Sequence, residues 1–120
     1  EDIKLSLSES VNVALNSGIK RDSIILDPGI GFGKTPVQNL EIIRRLSEII
    51  CLDLPVLIGA SRKSVIGYAL DLPVDKRIEG TAAINAIAIA NGADMIRVHD
   101  VVEMCRVAKM SDAIVRTQPD

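Results

Sequence analysis

Three short apolar runs, each closing on polar side chains, recur along this chain at nearly even spacing, and that repeat narrows the folds open to it. The runs are Ile24-Ile25-Leu26-Asp27-Pro28, Val56-Leu57-Ile58-Gly59-Ala60-Ser61-Arg62-Lys63-Ser64 and Met95-Ile96-Arg97-Val98-His99-Asp100. Asp27 and Lys63 stand 36 positions apart, and Lys63 and Arg97 stand 34 apart. A helix-like stretch separates each pair. Alternating strands and helices joined by short loops imply a parallel α/β sheet. In such folds the carboxyl ends of the strands share one face, where ligands bind. Asp27, Lys63, Arg97 and His99 are therefore expected to converge on one pocket.

The element order expected is α-β-α-β-α-β-α. A helix is expected over Ser6–Ser17, with a capping-box spacing at Ser6 and Glu9, a stripe of Leu7, Val11, Ala14 and Leu15, and Gly18 as its stop. Ser23–Asp27, Leu54–Ala60 and Met95–His99 are the three expected strands. Thr35, Pro36 and Gln38 carry the strongest helix-start signal, ahead of a stripe at Leu40, Ile43, Leu46 and Ile50. Ser64–Leu70 reads as a short helix broken before Pro73. A longer one runs from about Glu79 to Asn91 with Ile84, Ile87 and Ala88 inward, and Gly92 stops it. Asp100 and Glu103 are expected to cap a last helix with Val101, Cys105, Ala108 and Met110 on one face.

The chain has 120 residues, one Phe, one Tyr and no Trp, so its core must be aliphatic. A complete eight-fold barrel needs about 250 residues. Three parallel strands would also leave two apolar sheet edges open to association. The chain starts Glu1-Asp2 without an initiator Met, which suggests a piece of a longer protein. A net charge of −2 gives no reason to expect nucleic acid or an anionic membrane. No apolar stretch approaches a membrane span, and no signal peptide is visible. Cys51 and Cys105 lack metal-type spacing and read as buried thiols of a reducing cytoplasm.

The loop Gly29-Ile30-Gly31-Phe32-Gly33-Lys34-Thr35 fails two nucleotide-binding patterns. Pro28 stands where the first Walker glycine belongs, and Lys34 stands where the dinucleotide fingerprint needs its last glycine. A tight turn that lets a flat ligand approach the backbone fits better. Phe32 either plugs the core or packs on a planar substrate. Asp27 can accept paired N–H groups from an amino-heterocycle, or else cap the loop or pair with Lys34. Ser61-Arg62-Lys63-Ser64 opens a helix whose free N–H groups favour a carboxylate or phosphate; the alternative is an ordinary cap with solvated bases. Arg97 and His99 share one strand face by period two, where Arg binds a phosphate in bidentate fashion and His can donate a proton.

Asp27-Pro28-Gly29-Ile30-Gly31-Phe32-Gly33-Lys34, Ser61-Arg62-Lys63-Ser64 and Arg97-Val98-His99-Asp100-Val101 together resemble the three C-terminal signatures of the dihydropteroate synthase family. Gly80-Thr81-Ala82-Ala83 and Asn91-Gly92-Ala93-Asp94 fit the same pattern. The resemblance implies the C-terminal part of a (β/α)8 TIM barrel, about strands six to eight with four helices, as a single domain over 1–120. It implies a transferase of folate biosynthesis that joins 6-hydroxymethyl-7,8-dihydropterin diphosphate to 4-aminobenzoate, with sulfonamides as competitors. By resemblance, Asp27 would bind the pterin ring, Lys63 would contact it, and Gly59 would leave room for it. Arg97 would stack on the pterin and, with His99, bind the diphosphate; Ser64 would hold the aminobenzoate carboxylate; Phe32 would wall that site. Lys63, Arg97 and His99 would be the catalytic members of a dissociative mechanism. The resemblance also implies Mg²⁺ carried on the diphosphate, with its protein ligand outside this chain, and a cytoplasmic homodimer.

The early strands of such a barrel have no counterpart here, so the piece alone is expected to lack synthase activity. Two other readings stand beside this one. One is a non-catalytic half-barrel that self-associates or complements a missing half. The other is a fragment of a related pterin-dependent methyltransferase.

Overall fold

The computed structural model describes residues 2–116. The elements are α1 (Asp2–Asn16), α2 (Pro36–Arg44), α3 (Ser47–Ile50), β1 (Leu57–Ile58), α4 (Ser64–Leu70), α5 (Ile78–Ala90), β2 (Met95–Ile96) and α6 (Val101–Val115). Strands β1 and β2 pair in parallel, Leu57 with Met95 and Ile58 with Ile96. Leu26 adds a parallel bridge to Val56. The three expected strands thus lie side by side in chain order, as an α/β arc.

The strands are shorter than expected, and the first is a single bridge. Its backbone contacts run only to the neighbouring strand, Leu26 N–H to Pro55 O and Leu57 N–H to Leu26 O. With no strand partner on the other side among the described residues, the residues around Leu26 are tied from one side only. Regular pairing stops at Ile96, so Arg97 and His99 lie past the strand rather than within it. The offset of 38 residues nevertheless persists beyond it, from Val56–Asp94 through Ser61–His99 to Arg62–Asp100.

One sheet face is covered and the other is open. Val56, Ile58 and Ala60 are fully buried, beneath a core that includes Ile42, Ile43, Leu46, Val65, Ile66 and Ala88. The alternate positions Ile25 and Met95 are 49% and 41% exposed. The molecule measures 44 × 43 × 22 Å, a slab one helix layer and one sheet layer thick. Its radius of gyration of 15.0 Å exceeds the roughly 13–14 Å of a compact domain this size.

The helix starts and stops follow local chemistry, with exceptions. Thr35 Oγ accepts the Gln38 N–H while Gln38 Oε1 accepts the Thr35 N–H, the reciprocal capping box expected. At the end of α5, Gly92 sits at φ +114 and donates to Ile89 O, while Ala93 donates to Ala88 O. This paired closure needs a left-handed residue at Gly92. In contrast, α1 already begins at Asp2, so Ser6 and Glu9 lie inside the helix and cap nothing. The expected single helix after Thr35 breaks at Arg45–Leu46 into α2 and α3. Asp100 precedes α6 but its side chain caps no N–H; the carboxylate is taken by Arg62.

Burial corrects three more expectations. Of the residues expected inward on α5, Ala88 is buried and Ile84 packs against the core, but Ile87 is 52% exposed, and Thr81, Asn85 and Ile89 complete the buried side. This helix is apolar on nearly every side, so periodicity could not tell its inner face. On α6 the buried residues are Met104 and Ser111, flanked by Val107 and Ala108, while Val101, Cys105 and Met110 face outward. Both cysteines are free and exposed rather than buried. No helix among the described residues is long and apolar enough to cross a membrane.

Candidate active site

The strand ends bring Asp27, Gly59, Lys63, Arg97 and His99 to one edge of the open sheet face. Gly59 sits between the two cations: a Cβ built there would lie 3.8 Å from Arg97 Cβ and 3.9 Å from Lys63 Nζ. Those are ordinary contacts, so nothing in the chain itself demands glycine at this position. A flat group lying against that backbone would.

Lys63 bridges the β1 end and the Gly-rich loop. Its ammonium donates to Ile30 O at 2.6 Å and stands 4.8 Å from the centre of the Phe32 ring. Burial pushes the Lys63 pKa below the ordinary lysine value. Asp27 acts in the opposite direction, and the nearby charges of Arg97 and Lys34 add to the lowering. Three cations against one carboxylate make an edge suited to an anion.

The loop itself is held from several sides. Asp27 Oδ1 accepts the Gly29 N–H at 2.8 Å, so the loop-capping role weighed for this residue is real for one oxygen. Lys34 does not pair with Asp27; it donates to Gly29 O and Phe32 O. Buried Asn39 accepts the Gly31 N–H at 3.0 Å. Phe32 N–H donates to Gly29 O. The amides of Gly29, Gly31 and Phe32 are therefore spent within the loop and its helix. Phe32 is 71% exposed, which removes the core-plug alternative. Gly31 at φ +87 lets the loop pass under Lys63, whose Cδ would meet an added Cβ at 3.2 Å.

The other side of the edge is built from side chains. Ser61 is buried, and its Oγ accepts the His99 N–H at 3.1 Å and lies 2.8 Å from His99 Nδ1. Arg62 pairs with Asp100 at 2.7 Å. That guanidinium holds the Asp100 carboxyl below the usual carboxylate range, and the carboxylate raises Arg62 in turn. Arg62 adopts φ +58, a strained conformation for a residue with a side chain. Both its backbone groups are tied: its N–H donates to Thr81 Oγ1, and its carbonyl accepts from Arg77. Over-determination of this kind is what holds strained residues at functional sites.

Arg97 and His99 are exposed, and Arg97 makes no ion pair among the described residues. Ser64 is exposed at the first position of α4. The residues meet on an open surface rather than in an enclosed pocket. Two sizeable concavities among the described residues are a cleft of about 480 Å³ that takes in Phe32 and Lys34 with Arg45 but none of Asp27, Lys63, Arg97 or His99, and a groove of about 700 Å³ among α2, α4 and α5. Among the described residues no three His, Cys, Asp or Glu side chains cluster to hold a metal. Asp27 and Asp100 are engaged by Gly29 and Arg62. These residues by themselves do not fit a Mg²⁺ site.

Sequence reasoning passed over Ser61, Asn39 and Thr81 as individual residues, although each is a buried polar group that fixes a neighbour of the site. The signal for Ser61 was present in the numbering. It stands 38 residues before His99, the same offset that pairs Leu57 with Met95. Thr81 was marked only as part of Gly80-Thr81-Ala82-Ala83, and nothing comparable marks Asn39.

Residues 1–99 match the model of a family described as pterin binding enzyme. Among the relatives, a dihydropteroate synthase of Clostridium beijerinckii is 56% identical over 117 residues, 97% of this chain and 44% of the relative. That of Bacillus subtilis is 46% identical over 114 residues, 95% of this chain and 40% of the relative. A crystal structure of dihydropteroate synthase from Clostridium difficile in the presence of pteroic acid superimposes with a TM-score of 0.91 at 46% identity, covering 98% of this chain and 46% of that one. A Yersinia pestis dihydropteroate synthase in complex with a sulfonamide drug gives 0.93 at 36% identity, covering 98% and 43%. The chain thus spans less than half the length of these relatives.

Proposed function

The chain belongs to the pterin-binding enzyme family, and from that premise we propose that its parent protein is a dihydropteroate synthase of which this is the C-terminal part. The order of the three signatures and the adjacency of their parallel strands support this placement. They correspond to strands six to eight of a TIM barrel, of which the open sheet face would be the interior. The reaction joins 6-hydroxymethyl-7,8-dihydropterin diphosphate to 4-aminobenzoate and releases diphosphate.

The observation that carries this reading is the cationic edge around Gly59, where Lys63 and Arg97 flank a bare backbone next to Asp27. Asp27 takes the pterin N–H groups through the carboxylate it holds at the loop start. Lys63 meets the pterin from the other side, and Gly59 gives it room. Arg97 stacks on the ring, and with His99 it binds the leaving diphosphate, stabilising charge as the bond breaks. Phe32 walls the aminobenzoate site, which sulfonamides would share, and Ser64 receives the carboxylate. Mg²⁺ is proposed only as a companion of the diphosphate with a ligand in the rest of the parent, and no step is derived through it.

The piece alone is proposed to be inactive, since its site is open where other strands would close it. Dihydropteroate formation by the purified 120-residue chain, free of longer enzyme, would refute that. A cytoplasmic homodimer is the proposed assembly, supported by the apolar groove of Ile43, Ile66, Leu70, Ile84 and Ile87 on the outer helices. Sedimentation of the parent as a monomer at micromolar concentration would count against it. The open apolar face of Ile25 and Met95 favours a second reading, a half-barrel that associates without catalysis. The deciding measurement is pterin affinity and turnover of Lys63→Ala and Arg97→Ala in the complete protein. Unchanged values would overturn the synthase reading.

A further inference from the structure

Ser61 is buried while the imidazole it touches is exposed. Its oxygen already accepts the backbone N–H of His99 and lies 2.8 Å from Nδ1 of the same residue. A serine hydroxyl has one hydrogen to give and two lone pairs. If Nδ1 carried a proton, the oxygen would accept twice and its own hydrogen would have no acceptor among the described residues. Burial penalises such an unpaired group. The Asp100 carboxylate, the one whose charge His99 is shown to feel, is occupied by Arg62 through both Nε and Nη2.

We propose that Ser61 is a positioning residue for His99, its hydroxyl donating to Nδ1 so that the neutral ring carries its proton on Nε2. The exposed edge of the imidazole then offers an N–H to the leaving group beside Arg97. It offers no lone pair, so His99 is not the base that removes the aniline proton. The backbone bond from His99 to the same oxygen fixes the ring's main-chain anchor as well as its orientation. This inference rests on the diphosphate reading above, and it names which nitrogen serves that reading and what sets it.

The test uses the full-length parent. Long-range proton–nitrogen spectra of the neutral imidazole report the tautomer, and the spectrum of His99→Gln identifies which signals belong to His99. The wild type should show a protonated Nε2 and a bare Nδ1. Ser61→Ala should populate the Nδ1–H tautomer and lower kcat by roughly tenfold, with the KM for aminobenzoate unchanged. Ser61→Thr, which keeps the hydroxyl, should retain both the tautomer and the rate. A wild-type ring protonated on Nδ1 would overturn the proposal, as would a Ser61→Ala enzyme with unaltered tautomer or unaltered kcat. If Ser61→Ala does not fold, the wild-type and Ser61→Thr spectra still decide. Because the spectra need no substrate, they stand apart from the synthase reading, which fails separately if Lys63→Ala and Arg97→Ala leave turnover intact.

Discussion

On one side of the strand-end edge, Ser61 and Arg62 hold His99 and Asp100 through side chains at a constant offset of 38 residues. On the other, the loop from Asp27 to Lys34 is held mainly through its own backbone, by Asp27, Lys34, Asn39 and Lys63. The first side takes its geometry from strand register, which neighbouring residues reinforce. The second takes it from donors and acceptors that a ligand could recruit instead. We therefore expect the 61–62/99–100 side to stay fixed on binding and the loop side to adjust, with Lys63 exchanging Ile30 O for a ligand atom.

Lys63 is the group that joins the two sides, so its loss should have the largest effect. Lys63→Ala should lower turnover of the complete enzyme by about 10²–10³-fold, the range for removing one electrostatic donor at a reacting centre. Steady-state rates with saturating pterin substrate would check this; a loss under tenfold would mean that the two sides work independently. The same residue sets an alkaline limit. Burial lowers its pKa from the ordinary lysine value, and its charge disappears as pH rises through that lowered value. Affinity for the anionic substrate should therefore decline before ordinary lysines titrate. Lys63→Arg should carry the decline to higher pH, since a guanidinium stays protonated.

Next in size is Asn39, the buried side chain that accepts the Gly31 N–H. Asn39→Ala leaves that amide without its partner and should destabilise the protein by about 1–3 kcal/mol. Denaturant unfolding of the parent measures it. The effect should fall on the loop side alone, leaving the His99 tautomer as in the wild type.

Gly31 and Gly33 give a smaller and cleaner contrast within the loop. Both have positive φ, +87 and +64, but a Cβ at Gly31 meets Lys63 Cδ at 3.2 Å while one at Gly33 meets nothing within 4 Å. Each alanine variant should carry a backbone strain of about 1–2 kcal/mol. Only Gly31→Ala should also weaken pterin affinity, because only there must Lys63 shift. Equal affinities in titrations of the two variants would show that the loop moves freely of Lys63.

The same contrast explains what the sequence made legible. Alternating apolar runs at even spacing located the strand ends, because period-two burial and parallel crossovers both leave a mark in the residue order. Thr35, Pro36 and Gln38 announced α2, since a cap is local chemistry. Strand lengths were not legible: a sheet segment with one neighbour pairs only where backbone partners exist, and no residue type records a missing partner. The inward face of α5 was hidden because its sequence is apolar all round, so Ile87 and Asn85 exchanged the places that hydrophobicity suggests. The exposure of Cys51 and Cys105 was equally unreadable, since it follows from which helix faces find a neighbour.

The smallest expected effect tests the register-built side at its outer pair. Arg62 holds the Asp100 carboxyl below the usual carboxylate range. A carboxyl depressed in the folded state stabilises above its unfolded pKa, about 3.9. That contribution fades as pH falls through the lower folded value. Asp100→Asn should remove this slope at acid pH while barely changing stability at neutral pH, because the pair is partly open to solvent. The offset between Arg62 and residue 100 should survive, since Thr81 and Arg77 hold the Arg62 backbone independently of the carboxylate. Stability against pH for the parent and the variant would resolve the slope. A large neutral-pH loss would mean that the ion pair, and not strand register, fixes this side of the site.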